Sequence, residues 1–380
     1  MNVKKSEESL DRQQDIVRLA PHIVERFYAD FNRLGQRPAD STANTGNQPE
    51  RWIGSSTKVS CTKPEDSTGL STCPDLENIT LKALLADQQT GPRLLGEERF
   101  TKHKGSFRVL IKLLDALSPI PLHVHANDAY IQKNPETYPG EQFGKDEAYH
   151  FLDSSKGPCA YTHLGLHHGV DAKTLIAAMR KGTDHVVELS PVAPQIFGEG
   201  YMVKAGLLHR PGTALTLEIQ QPSDVYALFQ TDILNKPISV DILHPGFESI
   251  EAAAEAIVEW EVNANPKLLA NNRLRPTKAS GFAQEGGKTE WIFPPGASTK
   301  FSGLRVTVES TVTLKVNQPM VLYVWKGKGT LNGRPIDGRG GPAGNSDEFF
   351  IGVSAAKAGL ELTNSGDTPL VAFAMFAQSI

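Results

Sequence analysis

Cysteine is scarce in this chain of 380 residues. Cys61, Cys73 and Cys159 are an odd number without a paired metal-site spacing, which excludes a disulfide framework and a cysteine-zinc module. They read as free thiols of a reducing, cytoplasmic compartment. No apolar run approaches the roughly 20 residues that span a bilayer. The stretch from Met1 to Glu8 has no apolar core of a secretory signal. A dominant charge is missing too. The 39 Lys and Arg face 43 Asp and Glu, for a net charge of −4, and no basic cluster stands ready to track a phosphate backbone. Neither nucleic acid nor membrane is an expected partner, and oligomeric state leaves no trace in the sequence. Histidine is absent after His244, so the tail is expected to hold no histidine-based metal site.

The composition that remains, 39% hydrophobic with mean hydropathy −0.30, fits a soluble globular protein long enough for two or three domains. Ile23, Phe27, Tyr28 and Phe31 recur at spacings near 3.6 behind Pro21, which predicts a helix in an N-terminal extension over residues 1–46. Residues 35–48, rich in Gly, Pro, Ser, Thr and Asn, read as its linker. Further helices are expected after Thr80, with Leu81, Leu84 and Leu85 buried, and between the cap Asp171 and the stop Gly182, with Leu175, Ile176 and Met179 buried. Another is expected over 249–261, where Ile250, Ala253, Ala254, Ile257 and Val258 share a side. Strands are expected over 107–114, 200–203 and 213–221. From Thr289 onward, short apolar runs such as Val321 to Trp325 are punctuated by Gly327, Gly329, Gly333 and Gly338, the rhythm of an antiparallel sandwich or barrel. The chain therefore reads as mainly β.

Its chemistry concentrates around His123-Val124-His125. Strand side chains alternate between faces, so the two imidazoles point one way and Leu122 and Val124 the other. Glu147 can add a carboxylate and His209 a third imidazole. That set suits Zn, Fe, Mn or Ni and leaves positions open for water or substrate. Lys145 shares a strand face with Glu147 and could stabilise a developing oxyanion. Thr216, Glu218 and Gln220 form a polar face opposite Leu215, Leu217 and Ile219, and Glu218 is a candidate acid/base.

Several blocks then match a known family in order. Glu50-Arg51-Trp52-Ile53-Gly54, the strand ending Lys112-Leu113-Leu114-Asp115-Ala116, and His123 to Tyr130 come first. Gly144-Lys145-Asp146-Glu147, Gly206-Leu207-Leu208-His209 and Glu218 to Asp224 follow. Together they resemble type I mannose-6-phosphate isomerases of the cupin superfamily, well over about residues 50–229 and loosely in the tail. The resemblance implies a bicupin of two jelly rolls with short inserted helices. Its metal-binding domain would cover 47–236, and a metal-free cupin-like domain 237–380. It also implies a metal held by His123, His125, Glu147 and His209, with Zn first among the candidates. The implied activity is aldose–ketose isomerisation of a sugar or sugar phosphate through an enediol.

The departures are local. His123 replaces the family's usual Gln. Pro121 stands where the family has a phosphate-holding Ser and offers neither hydroxyl nor N–H. After Ser223-Asp224 the stretch Val225 to Phe229 lacks the family's active-site Arg, which leaves Arg210, directly after His209, as a substitute catalytic cation. His163, His167 and His168 fall outside the matching blocks and read as surface or loop residues. Two other readings stay open: a different cupin metalloenzyme, such as an oxygenase or epimerase, and a carbohydrate-binding sensor without catalysis.

Overall fold

The computed structural model describes residues 8, 10–35, 47–60, 66–153, 159–282, 285–339 and 346–378. Cys61 and most of the expected linker, residues 36–46, lie outside them. The fold is mainly β, with several antiparallel sheets of cupin-like type. Along the chain come β1 (Ile16–Leu19), β2 (His22–Val24), β3 (Glu50–Ile53), α1 (Leu81–Ala86), β4 (Leu110–Leu114) and β5 (His123–Val124). Next are β6 (Glu147–Asp153), β7 (Tyr161–Leu164), α2 (Ala172–Lys181), β8 (Val192–Pro194), β9 (Gly200–Val203), β10 (His209–Arg210), β11 (Leu215–Gln220), β12 (Ala227–Leu228) and α3 (Ile250–Ile257). The tail contributes β13 (Arg273–Leu274), β14 (Thr277–Lys278), β15 (Gly287–Phe293), β16 (Phe301–Val308), β17 (Met320–Leu331), β18 (Glu348–Ile351) and β19 (Leu370–Ala377).

A seven-stranded sheet in the order β13-β9-β6-β11-β4-β3-β2 stands at the centre. Strand alternation gives it two unlike faces. Ile53, Ile111, Leu113, Ala148, Leu217 and Ile219 point one way. There they join Phe293, Phe301, Val321, Phe350, Phe373 and Met375 of a ten-stranded sheet built mostly from the tail. Each fully buried Leu or Ile in this layer contributes roughly 1.5–3 kcal/mol. The opposite face carries Glu50, Lys112, Glu147, Tyr149 and Glu218. It looks across a cavity at a five-stranded sheet, β8-β7-β10-β5-β12. The outer side of that smaller sheet, through Val124, Ala227 and Phe229, is covered by Leu175, Ile176 and Met179 of α2 and by Ala253, Ala254 and Ile257 of α3.

The helix starts hold as expected. Thr80 Oγ1 accepts from Ala83 N, Asp171 from Thr174 N and Ser249 from Ala252 N. The last expected helix is shorter than its pattern, ending at Ile257. There Glu259 N donates to Gly206 O at 2.9 Å and Asn263 bonds both Gly206 O and Leu208 N, which ties the chain to the loop before His209.

The N-terminus differs more. The helix expected behind Pro21 is absent: β1 pairs with β18 of the tail sheet and β2 with β3 of the central sheet. Of the segment behind Pro21, His22–Val24 is claimed by the open edge of the central sheet, and pairing overrides a helical spacing of aromatics. Phe27 and Tyr28 fall in irregular chain beside the cavity. Packing beyond residue 237 involves both sheets of the site and the tail sheet. The helices after it cover the smaller sheet, β13 pairs with β9, and the tail sheet starts at β14, which pairs with β15.

One ion pair is buried between the central and tail sheets. Arg51 Nη2 lies 2.7 Å from Glu348 Oε2, donates to Ser346 O at 2.8 Å, and its guanidinium sits 5.2 Å from the Tyr323 ring centre. Truncating one partner of such a pair strands the other charge. Arg51→Ala is therefore expected to lower the urea-unfolding free energy by about 3–5 kcal/mol. A loss below about 1 kcal/mol, the range of exposed pairs, would show that the pair does not join the sheets.

Candidate functional site

The larger and smaller sheets meet at four side chains. His123 and His125 come from β5 and the residue after it, His209 from β10, and Glu147 from the first position of β6. All four are buried, and their ligating atoms lie within 4.8 Å of one another. Each imidazole is held from behind. His123 Nδ1 donates to Pro121 O at 2.7 Å, His125 Nδ1 to Val225 O at 2.7 Å, and His209 Nδ1 to Leu207 O at 2.8 Å. A carbonyl only accepts, so Nδ1 carries the proton and the Nε2 lone pair faces the cavity. Pro121, without a hydroxyl to offer, orients a ligand through its carbonyl.

The lone pairs converge, and Lys145 Nζ stands beside two of them. His209 Nε2 lies 2.9 Å from Glu147 Oε1, and His125 Nε2 lies 3.2 Å from Oε2. His209 Nε2 is buried and receives no hydrogen bond. Buried polar atoms are normally satisfied. Three neutral imidazoles and one carboxylate around a common point are the donor set that suits a divalent cation, and these residues could hold one metal ion.

Protonation agrees with that arrangement. Burial, the neighbouring imidazoles and Lys145 push His123 well below its ordinary range, and burial with Lys145 takes His125 to about 3. Burial opposes ionisation of Glu147, yet Lys145 and the imidazoles outweigh it and hold the carboxyl well below its usual value. Tyr149, two residues along the same strand face, donates its hydroxyl to Glu147 Oε1.

Lys145 Nζ lies 3.0 Å from Glu147 Oε2 and 3.1 Å from His125 Nε2. Its approach depends on Gly144, where a Cβ would fall 2.5 Å from the Asn127 carbonyl carbon and 2.6 Å from Ala126 O. Glu218 lines the same cavity. Burial and the Glu147 charge, opposed by Lys112 and Lys145, raise its carboxyl to about 8. Two neighbouring carboxyls are thereby driven apart, Glu147 ionised and Glu218 protonated at neutral pH.

Arg210 does not join them. Alternation turns it away from His209's side, and its Nε donates to Gln230 Oε1 at 2.9 Å; it is not among the residues lining the cavity. His163 is also unlike its surface reading. It is buried in β7, opposite Arg210 in register, with Nδ1 on Ser190 O. His167 and His168 are exposed.

The cavity's cation from outside the motifs is Arg26. It forks Asp224 at 2.8 and 3.1 Å and lies 3.0 Å from Glu50. Glu50 also accepts from Tyr28 and from Trp52 Nε1, while Lys112 Nζ is 3.5 Å from Glu50 and 4.9 Å from the Trp52 ring centre. No local pattern announces Arg26, which meets a carboxylate 198 residues away.

Solved structures share this architecture. The mannose 6-phosphate isomerase of Bacillus subtilis superposes with a TM-score of 0.66 at 19% identity, covering 95% of this chain and 99% of that one. A mutant of phosphomannose isomerase from Salmonella typhimurium gives 0.66 at 13%, covering 96% and 100%. The chain has the fold of the phosphomannose isomerases. At these identities the likeness extends to the fold alone. No protein-family model matches the sequence, and no curated protein does. No helix among the described residues is long and apolar enough to cross a membrane.

Two outcomes follow from the site's chemistry. Purified wild-type protein should carry one equivalent of metal by plasma mass spectrometry and the His209→Ala variant none; full occupancy in that variant would remove His209 from the ligand set. The second concerns acid. Burial opposes ionisation of Glu50 and Asp224, but Arg26 and Lys112 hold both below the usual carboxylate range. They stay ionised in the fold where an unfolded chain takes up protons, near pH 4. Their contribution is therefore complete above that pH and lost as pH falls through the native values. Unfolding free energy should drop below about pH 4, with a shallower slope in Asp224→Asn. An unchanged slope would show that Asp224 is not held this way.

Proposed function

We propose that the chain is a metal-dependent aldose–ketose isomerase acting on a small sugar or sugar phosphate. The observation that carries this reading is the convergence of three Nε2 atoms and one carboxylate beside Lys145 and the buried Glu218. Zinc is the first candidate, and Fe, Mn or Ni also suit the ligand set. The metal, when bound, supplies Lewis acidity toward the sugar's carbonyl and adjacent hydroxyl.

The chain's own residues do the rest. The ionised form of Glu218, whose carboxyl sits near 8, takes the proton from C2 and, as the acid so formed, returns it to C1, while the hydroxyl proton passes from O2 to O1. Effective proton transfer needs a group whose affinity lies near the working pH. Lys145 faces the negative charge that builds on the enediolate oxygens. Tyr149, donating to Glu147, fixes that carboxylate. The apolar and ion-paired walls keep bulk water from the enediol. Arg210, held by Gln230 away from the cavity, has no part in this scheme. The setting is proposed to be the cytoplasm, with a free sugar or its phosphate as partner.

Isomerisation moves hydrogen within one molecule and needs no dioxygen. Aldose-to-ketose conversion should proceed anaerobically, vanish with a chelator and return with a divalent metal. Glu218→Gln should lower kcat by about 10²–10⁴ while metal content persists. An oxygenase on the same ligand set would instead consume dioxygen, and a sensor would bind sugar without turnover; either result would replace this reading.

A further inference from the structure

Beside its ionic lining the cavity has an apolar wall built around Leu114, in a row that also holds Glu50. Register orders its inner face. Glu147 stands level with Gln220 and Leu110, Tyr149 with Glu218 and Lys112, and Leu114 with Thr216 and Glu50. Leu114 thus lies four residues beyond the row of Glu147, about 13 Å along the strand. Ile120 and Phe27 pack in one cluster with Leu114, and Phe27 also meets Leu228 and Tyr226 in another. All four line the cavity with Leu114. Leu228 carries this wall back to His123, its register partner.

The cavity's cations are already matched. Arg26 forks Asp224, Lys112 lies 3.5 Å from Glu50, and Lys145 lies 3.0 Å from Glu147. These three cations share the cavity with four carboxyl groups, Glu50, Glu147, Glu218 and Asp224. A phosphate dianion on the far end of a sugar would meet apolar side chains and carboxylates, with each cation already engaged. Phosphate recognition needs fixed donors, and burying such a charge without them is unfavourable. A methyl group in that place would displace water from Phe27, Leu114 and Ile120, which is favourable.

We propose that the site takes an uncharged aldose whose end remote from the reacting carbons is deoxygenated, of the 6-deoxyhexose type, in preference to a sugar phosphate. The inference rests on the isomerase reading for its orientation: C1 and C2 lie toward Lys145 and Glu218, and C6 toward the apolar wall.

The test uses the metal-loaded full chain with three probes: 6-deoxymannose, mannose and mannose 6-phosphate. Turnover is followed by ketose formation and binding by titration calorimetry. The deoxysugar should exceed mannose 6-phosphate at least tenfold in kcat/KM and in affinity. Phe27→Ala should reduce the preference for deoxysugar over mannose at least threefold. Equal or better use of mannose 6-phosphate, no binding of the deoxysugar, or an unchanged preference in Phe27→Ala overturns the inference. If none of the three sugars is turned over, the isomerase reading fails, and the binding affinities alone then decide the substrate class.

Discussion

Lone pairs aimed at one point in a buried space repel one another unless a cation lies among them. His123, His125, His209 and Glu147 are arranged this way, and much of the surrounding structure serves to keep them so. Three backbone carbonyls, of Pro121, Val225 and Leu207, fix the rings from behind. Tyr149 and Lys145 hold the carboxylate from either side. Asn263, bonded to Gly206 O and Leu208 N, secures the loop that delivers His209. Withdrawing any of these contacts leaves a ligand free to turn away from the common point.

The central sheet makes such a polar site compatible with a stable fold by separating its two faces. One face is a dry layer against the tail sheet, where apolar burial supplies the stability. The other face is given over to charge, and there the charges are paired: Arg26 with Asp224 and Glu50, Lys112 with Glu50, Lys145 with Glu147. The site needs carboxyls of opposite protonation, and the same pairing supplies them. Glu147 is surrounded by cationic and imidazole groups, whereas Glu218 feels Glu147's charge in a buried setting.

Much of this was legible in the sequence where the cause is local. Alternation placed His123 with His125 and Glu218 with Gln220. Caps at Thr80 and Asp171 marked helix starts that their side-chain bonds to backbone N–H groups bear out. Ordered blocks carried the resemblance to a cupin isomerase, and the fold agrees with it. What escaped is long-range. The segment behind Pro21 has a helical spacing, but the edge of the central sheet claims its start, His22–Val24, as strand. Arg26 enters the cavity from that segment, where no motif points to it. Arg210, the cation adjacent to His209, lies outside the cavity because adjacency on a strand means the opposite face. His163, read as surface, lies buried beside it for the same reason.

The central claim is that four named side chains form a nitrogen-and-oxygen metal centre. X-ray absorption spectroscopy on the metal-loaded protein tests it most directly. The account predicts a first coordination shell of nitrogen and oxygen only, with the multiple-scattering pattern of three imidazoles and no sulfur. A sulfur ligand, or scattering from fewer than two imidazoles, would contradict it.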